Sequence, residues 1–84
     1  MRRRGKVDRN HTEIVEALRV CGWHVLSLAD LGNGVPDLLI FKPGRTMQLA
    51  EIKTRTGRIT RAQAQFMADW PVTIVRSVDE ALAL

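Results

Sequence analysis

The sequence predicts an α/β fold, with a mixed four-stranded sheet flanked by helices in the order αβββαβ. Two segments, about residues 11–21 and 61–70, repeat apolar side chains at helical spacing. Four short apolar runs bounded by turn residues lie outside these segments, as strands do. The 84 residues suffice for one domain and leave no room for a second.

The first predicted helix begins near Asn10, whose side chain can cap it, with Glu13 in the capping-box position three residues later. Apolar residues then recur at helical spacing from Ile14 to Cys21. Gly22 ends the helix, since glycine readily adopts the left-handed conformation that follows a helix.

Three strands follow the first helix. The first spans about residues 23–28, and a turn rich in glycine follows it. The second, 37–41, is nearly continuously apolar, as expected of a strand covered on both faces. Only four or five residues separate it from the third strand, 46–53, which predicts an antiparallel hairpin.

The last part of the chain predicts a helix, a strand and a short helix. Thr60 can cap the helix over 61–70, and Pro71 ends it. The fourth strand is 72–75, and Ser77 opens a terminal helical turn as the first residue of a second capping box.

Composition and charge restrict the partners and the setting. Thirteen Lys and Arg against nine Asp and Glu give a net charge of +4, which favours nucleic acid as an anionic partner. No apolar run approaches the about 18 residues of a membrane-spanning helix, so no membrane partner is expected. Cys21 is the single cysteine, which indicates a reduced, cytoplasmic setting. Residues 1–8 predict a basic, flexible tail before a single domain over 9–84, and so small a core favours a homo-oligomer.

Three charged residues lie at the ends of two neighbouring strands. Asp37 begins the apolar second strand, and Glu51 and Lys53 share one face at the end of the third. A five-residue hairpin loop places Asp37 directly opposite Glu51, whereas a four-residue loop would place it opposite Ala50. We predict the five-residue register.

Two opposed carboxylates on a half-buried sheet repel each other and are costly to desolvate. A bound Mg²⁺ or Mn²⁺ removes both problems, and a water that it carries can become an attacking hydroxide. Lys53 could then neutralise the charge that develops on a phosphate, or orient the water. The alternative interpretation is a salt-bridge cluster of the three side chains at a sheet edge.

Further candidates lie on the helices and in the loop after Lys53. Glu13 borders the apolar stripe of the first helix and can reach inward, but capping is a competing role. Gln63 lies in the inward arc of the second helix, where it can contact the acidic cluster or form a capping box with Thr60. Three arginines surround the loop, either along the path of a phosphate backbone or as a solvated basic segment: Arg55, Arg58 and Arg61.

The residue inventory excludes several other chemistries. Two histidines and one cysteine do not complete a zinc site, and neither a phosphate-binding loop nor a serine–histidine pair is present. The inward arc of the second helix is expected to hold Ala62, Phe66, Met67 and Trp70. The four aromatic residues Trp23, Phe41, Phe66 and Trp70 are expected in the core rather than on a stacking surface.

Three motifs carry a family resemblance: Gly34-Val35-Pro36-Asp37, Glu51-Ile52-Lys53 and Thr60-Arg61-Ala62-Gln63. In this order and spacing they resemble the PD-(D/E)XK nuclease superfamily, and more closely its VRR-NUC family. The resemblance runs from Glu13 to the terminal helix. It implies a restriction-endonuclease-like core and metal-dependent hydrolysis of DNA phosphodiester bonds.

The resemblance also implies a role for each matching residue. The metal ligands would be Asp37 and Glu51, helped by the backbone carbonyl of Ile52. Lys53 would be the catalytic lysine and Gln63 a supporting active-site residue. Glu13 would be the acidic residue of the first helix.

In its short length, the chain resembles the stand-alone VRR-NUC proteins of phages and prophages. This resemblance implies a homodimeric endonuclease that acts on branched DNA, such as a four-way junction, in the cytoplasm of a bacterial or phage-infected cell. The alternative function is a non-catalytic, basic nucleic-acid-binding module with a nuclease-like fold.

Overall fold

The structure, a computed structural model, describes residues 9–84. The predicted tail, residues 1–8, lies outside this part of the chain. In chain order the elements are α1 (Arg9–Val20), β1 (His24–Ser27), a 3₁₀ turn (Ala29–Leu31), β2 (Leu38–Phe41), β3 (Gln48–Ile52), α2 (Arg61–Asp69), β4 (Val72–Val75) and α3 (Val78–Leu82). The predicted α/β class with a mixed four-stranded sheet is confirmed.

The strands lie in the order β1-β2-β3-β4. The first three form an antiparallel meander, and β4 runs parallel to β3 because α2 carries the chain back between them. Leu38 pairs with Ala50 and Ile40 with Gln48, which is the register predicted for the five-residue loop. One residue further along the same register, Asp37 lies opposite Glu51.

One face of the sheet carries the core. Buried side chains alternate along the central strands, as Leu38 and Ile40 do in β2, and they pack with α1 and α3. Burial of each large aliphatic side chain contributes about 1.5–3 kcal/mol. The buried hydrophobic residues are Ile14, Leu18, Trp23, Leu38, Ile40, Ala50, Ile52, Val75 and Ala81.

The opposite face is only partly covered, which corrects the prediction that β2 is covered on both faces. Phe41 is 41% exposed and Trp70 is 55% exposed, so neither is a core residue. Ala62, expected to point inward, is also exposed. The helix α2 is short, and none of its nine residues is buried. Leu26 and Met47 are exposed as well.

The start of α1 also differs from the prediction. The helix begins at Arg9, so Asn10 lies within its first turn and does not cap it. Instead, the Asn10 amide donates a hydrogen bond to the carbonyl oxygen of Arg76. A side chain caps a helix from the position just before it, and Asn10 lies inside the helix. Its side chain therefore bonds to a residue far away in the sequence. Within residues 9–84, no helix is long and apolar enough to cross a membrane.

Candidate active site

Asp37 is held between its two neighbouring strands. The backbone N–H of Leu28 donates to the Asp37 carbonyl oxygen over 2.7 Å, which extends the β1–β2 pairing by one step. On the other side, the backbone N–H of Ile52 donates to Asp37 Oδ2 over 2.9 Å. The Asp37 carboxylate therefore lies beside the end of β3, next to the backbone of Ile52.

The turn before Asp37 packs tightly against the start of α2. Gly34 has φ +82°, and a Cβ at this position would lie only 2.3 Å from the Ala62 carbonyl oxygen. Only glycine fits so close an approach in this conformation. Gly34 thus determines how closely the turn that leads to Asp37 approaches the helix that carries Gln63.

Glu51 is the buried carboxylate of the site, with only 4% of the residue exposed. Its Oε2 accepts a hydrogen bond from Gln63 Nε2 at 2.9 Å and lies 3.7 Å from Lys53 Nζ. Burial and then the nearby Asp37 charge raise the pKa of Glu51 to about 7, although Lys53 acts in the opposite direction. A bound cation would therefore stabilise the charged form of the Asp37–Glu51 carboxylate pair.

Gln63 fulfils both roles that the sequence left open. Its Oε1 accepts from the Thr60 backbone N–H, and the Thr60 hydroxyl accepts from the Gln63 backbone N–H, which together form a capping box. The amide nitrogen of the same side chain donates to Glu51. A primary amide has an acceptor at one end and donors at the other, so the two roles are compatible.

Lys53 continues β3 beyond its last paired residue. Its backbone N–H donates to the Val75 carbonyl oxygen over 3.1 Å, and its side chain is 15% exposed. The arginines predicted around the following loop are all exposed: Arg55, Arg58 and Arg61. A half-buried ammonium thus lies at the border between the carboxylate pair and a basic surface.

Glu13 is the predicted residue that the structure does not bring to the pair. It is exposed on α1. Among residues 9–84, no three His, Cys, Asp or Glu side chains lie together as a possible metal-binding group. The site therefore contains two carboxylates rather than three, together with Lys53 and Gln63.

Arg76 is a residue of this region that sequence reasoning missed. It follows β4, and its guanidinium donates to backbone carbonyl oxygens of the loop after Lys53. The signal that could have found it is the parallel pairing of β3 and β4, which brings the residues after each strand to one edge of the sheet. That pairing is a long-range contact that no local motif contains.

Comparison with protein-family models, with curated proteins and with solved structures finds no significant match. Inferences about chemistry therefore depend on the site itself. Its oxygen donors, ammonium and amide, at the edge of a basic surface, suit binding of a hard cation and an anion together.

Proposed function

We propose that this chain is a Mg²⁺- or Mn²⁺-dependent DNA endonuclease with a restriction-endonuclease-like core, of the VRR-NUC type that its motifs resemble. One observation carries the proposal: Asp37 continues the β2–β3 register to a position opposite the buried Glu51, and Lys53 contacts the same glutamate. The motif residues that are distant in the sequence thus meet at one end of the sheet.

The donor set supports a cation site of the magnesium kind. Mg²⁺ is commonly held by one or two carboxylates, with waters and substrate phosphates as its remaining ligands. Asp37 and Glu51 supply two carboxylates, and the Ile52 backbone lies beside Asp37. The raised pKa of Glu51 indicates that its charge lacks compensation, which a divalent cation would provide.

Phosphodiester hydrolysis joins a water oxygen to phosphorus, breaks one ester P–O bond and moves a proton from the water to the leaving ester oxygen. A divalent cation held by Asp37 and Glu51 would supply the Lewis acidity that activates the water. Lys53 holds a positive charge where charge develops on the phosphate, or orients the water. Gln63 keeps the Glu51 carboxylate in one orientation through its hydrogen bond.

The surface around the site supports DNA as the substrate. Three exposed arginines and the net charge of +4 suit a phosphate backbone. Phosphate contacts of this kind do not select a base sequence, so recognition of DNA shape, such as a branched structure, is consistent with them.

We also propose that the chain forms a homodimer through the partly covered sheet face. An open groove of about 390 Å³ on this face includes Leu39, Met47, Leu49 and Trp70 in its lining. Exposed apolar side chains that line a groove suit an interaction site. A second copy of the chain bound there would cover the apolar side chains of the sheet that α2 leaves exposed.

Cleavage assays test the proposed function. We expect the wild-type chain to cut a four-way junction or linear duplex in Mn²⁺ or Mg²⁺ and not in EDTA. Lys53→Gln and Asp37→Asn should each lower the rate at least about 100-fold, while Arg45→Gln, which removes a charge in the exposed β2–β3 turn, should not. Salt-sensitive DNA binding without cleavage by any variant would instead support the non-catalytic binding module.

A further inference from the structure

The side chain of Arg76 donates hydrogen bonds to the backbone of the turn after Lys53. Arg76 Nη1 donates to the carbonyl oxygens of Thr54 at 2.7 Å and Gly57 at 2.8 Å, and it lies 3.4 Å from that of Arg55. A charged donor makes stronger hydrogen bonds than a neutral one. The guanidinium therefore gathers the carbonyl oxygens of Thr54, Arg55 and Gly57 around one nitrogen.

The backbone of Arg76 is itself fixed by two helices. Its N–H donates to Glu80 Oε1 in α3 over 2.7 Å, and its carbonyl oxygen accepts from Asn10 Nδ2 in α1 over 3.2 Å. Ile52 and Val75 are partners in the parallel β3–β4 pair, so Arg76 follows β4 as Lys53 follows β3. The guanidinium thus extends from a rigid base to a loop with little secondary structure.

Gly57 of the same turn lies near Lys53, and two exposed arginines flank this glycine in the sequence. A Cβ added at Gly57 would lie 3.5 Å from Lys53 Cδ, so the turn runs close to the stem of the lysine. Arg55 precedes Gly57 by two residues and Arg58 follows it directly. The position of the turn therefore affects both the lysine and the basic surface beside it.

We propose that Arg76 is a positioning residue, which holds the 54–57 turn against Lys53 and presents Arg55 and Arg58 to a DNA phosphate backbone. The role of Lys53 in cleavage and the effect of the turn on DNA binding rest on the proposed function, whereas the holding of the turn by Arg76 does not. Arg76 acts through other residues, because its Nη1 donates to the backbone of the turn. Preorganising the turn removes the entropic cost of ordering it when DNA binds.

The test compares Arg76→Gln with Arg76→Lys and with Arg19→Gln, a variant that loses the same charge from an exposed position on α1. Hydrogen–deuterium exchange reports on the Gly57 amide, which donates to the Thr54 carbonyl oxygen. Fluorescence anisotropy in EDTA measures affinity for a labelled duplex. In Arg76→Gln we expect the Gly57 amide to exchange at least about tenfold faster, and DNA to bind about tenfold more weakly.

The conservative variant separates geometry from charge. A lysine at position 76 retains the charge and three donors but not the planar guanidinium, so it should restore part of both the amide protection and the affinity. Arg19→Gln should leave the exchange of the 54–57 amides unchanged. In the cleavage assay, Arg76→Gln should lower kcat/KM about 10- to 100-fold without changing the metal concentration at half-maximal rate.

Three results would overturn the assignment. The first is wild-type exchange of the Gly57 amide in Arg76→Gln. The second is an equal loss of DNA affinity in Arg76→Gln and Arg19→Gln, since charge alone would then explain it. The third is full affinity in Arg76→Lys without restored amide protection. A wild-type chain that binds DNA and does not cleave it would refute the nuclease proposal, yet exchange and binding would still decide the role of Arg76.

Discussion

Gln63 and Glu51 are joined by a 2.9 Å hydrogen bond, while the other end of the Gln63 amide caps α2. The start of a helix with no buried side chain is thereby attached to the buried carboxylate of the site. A change at Gln63 should consequently affect both the fold and the chemistry.

Replacing Gln63 by alanine should lower the free energy of unfolding by about 1–2 kcal/mol, because the capping box and a hydrogen bond to a buried carboxylate are both lost. Urea denaturation measures this change. Gln65→Ala is the matched control, since Gln65 is exposed on the same helix. It should change stability by less than about 0.5 kcal/mol. Equal effects of the two substitutions would contradict the coupling.

Stability without metal should depend on pH through Glu51. Its folded-state pKa of about 7 lies above the ordinary value of 4.5, so the folded protein binds this proton more tightly than the unfolded chain. The resulting stabilisation is complete below about pH 4.5 and is lost as the pH rises through 7. The loss amounts to at most about 3 kcal/mol.

Urea denaturation in EDTA at several pH values tests this dependence. Glu51→Gln should remove the loss of stability between pH 4.5 and 7, since glutamine does not titrate. Glu16→Gln, at an exposed position on α1, should leave it in place. A wild-type stability that rises across this range would show that Glu51 does not govern it.

Divalent cations should stabilise the folded chain. At a concentration 100 times the dissociation constant, a ligand that binds only the folded state adds about 2.7 kcal/mol to the free energy of unfolding. We expect Mn²⁺ and Mg²⁺ to raise the Tm of the wild type, and Asp37→Asn to abolish the increase. Asp69→Asn, at an exposed position at the end of α2, should keep it. An equal increase in all three proteins would place the cation elsewhere.

Two glycines provide a matched test of the close approach to α2. Gly34 and Gly44 both have positive φ, +82° and +84°, but a Cβ at Gly44 would meet nothing within 4 Å. Gly44→Ala should cost only the backbone penalty of about 1–2 kcal/mol. Gly34→Ala should cost more, because the Ala62 backbone must also move. Thermal denaturation of the two variants measures the difference, and equal Tm losses would exclude the steric explanation.

The salt dependence of DNA binding should report on the arginines around the site. Each phosphate contact contributes about 0.9 to the slope of log affinity against log salt concentration. Changing Arg55, Arg58 and Arg61 together to glutamine should reduce this slope by about 2 to 3 in anisotropy titrations. Arg45→Gln, in an exposed turn at the far end of the β2–β3 hairpin, should leave the slope unchanged. A slope reduced only in Arg45→Gln would instead place the bound DNA along the β2–β3 turn.

Several features were predictable because they depend on neighbours in the sequence. The length of the β2–β3 loop determines the hairpin register, so the opposition of Asp37 and Glu51 followed from counting residues. The Thr60–Gln63 capping box followed from a spacing of three residues.

The role of Asn10 shows where local reasoning fails. Its spacing from Glu13 is that of a capping box, but α1 already includes Arg9, and the Asn10 side chain bonds to Arg76, 66 residues away. The same limit applies to Trp70 and Phe41, whose hydrophobicity predicted burial but whose exposure depends on how much of the sheet α2 covers.

The sequence by itself determined the order of the elements, the hairpin register and the residues that carry the candidate chemistry, because these depend on periodicity and short spacings. Only the tertiary structure decided that Gln63 reaches Glu51, that Glu13 lies apart from the carboxylate pair, that Arg76 holds the turn after Lys53 and that one sheet face stays partly open. These features depend on contacts between residues far apart in the chain, whose formation is governed by packing of the whole domain rather than by any local pattern.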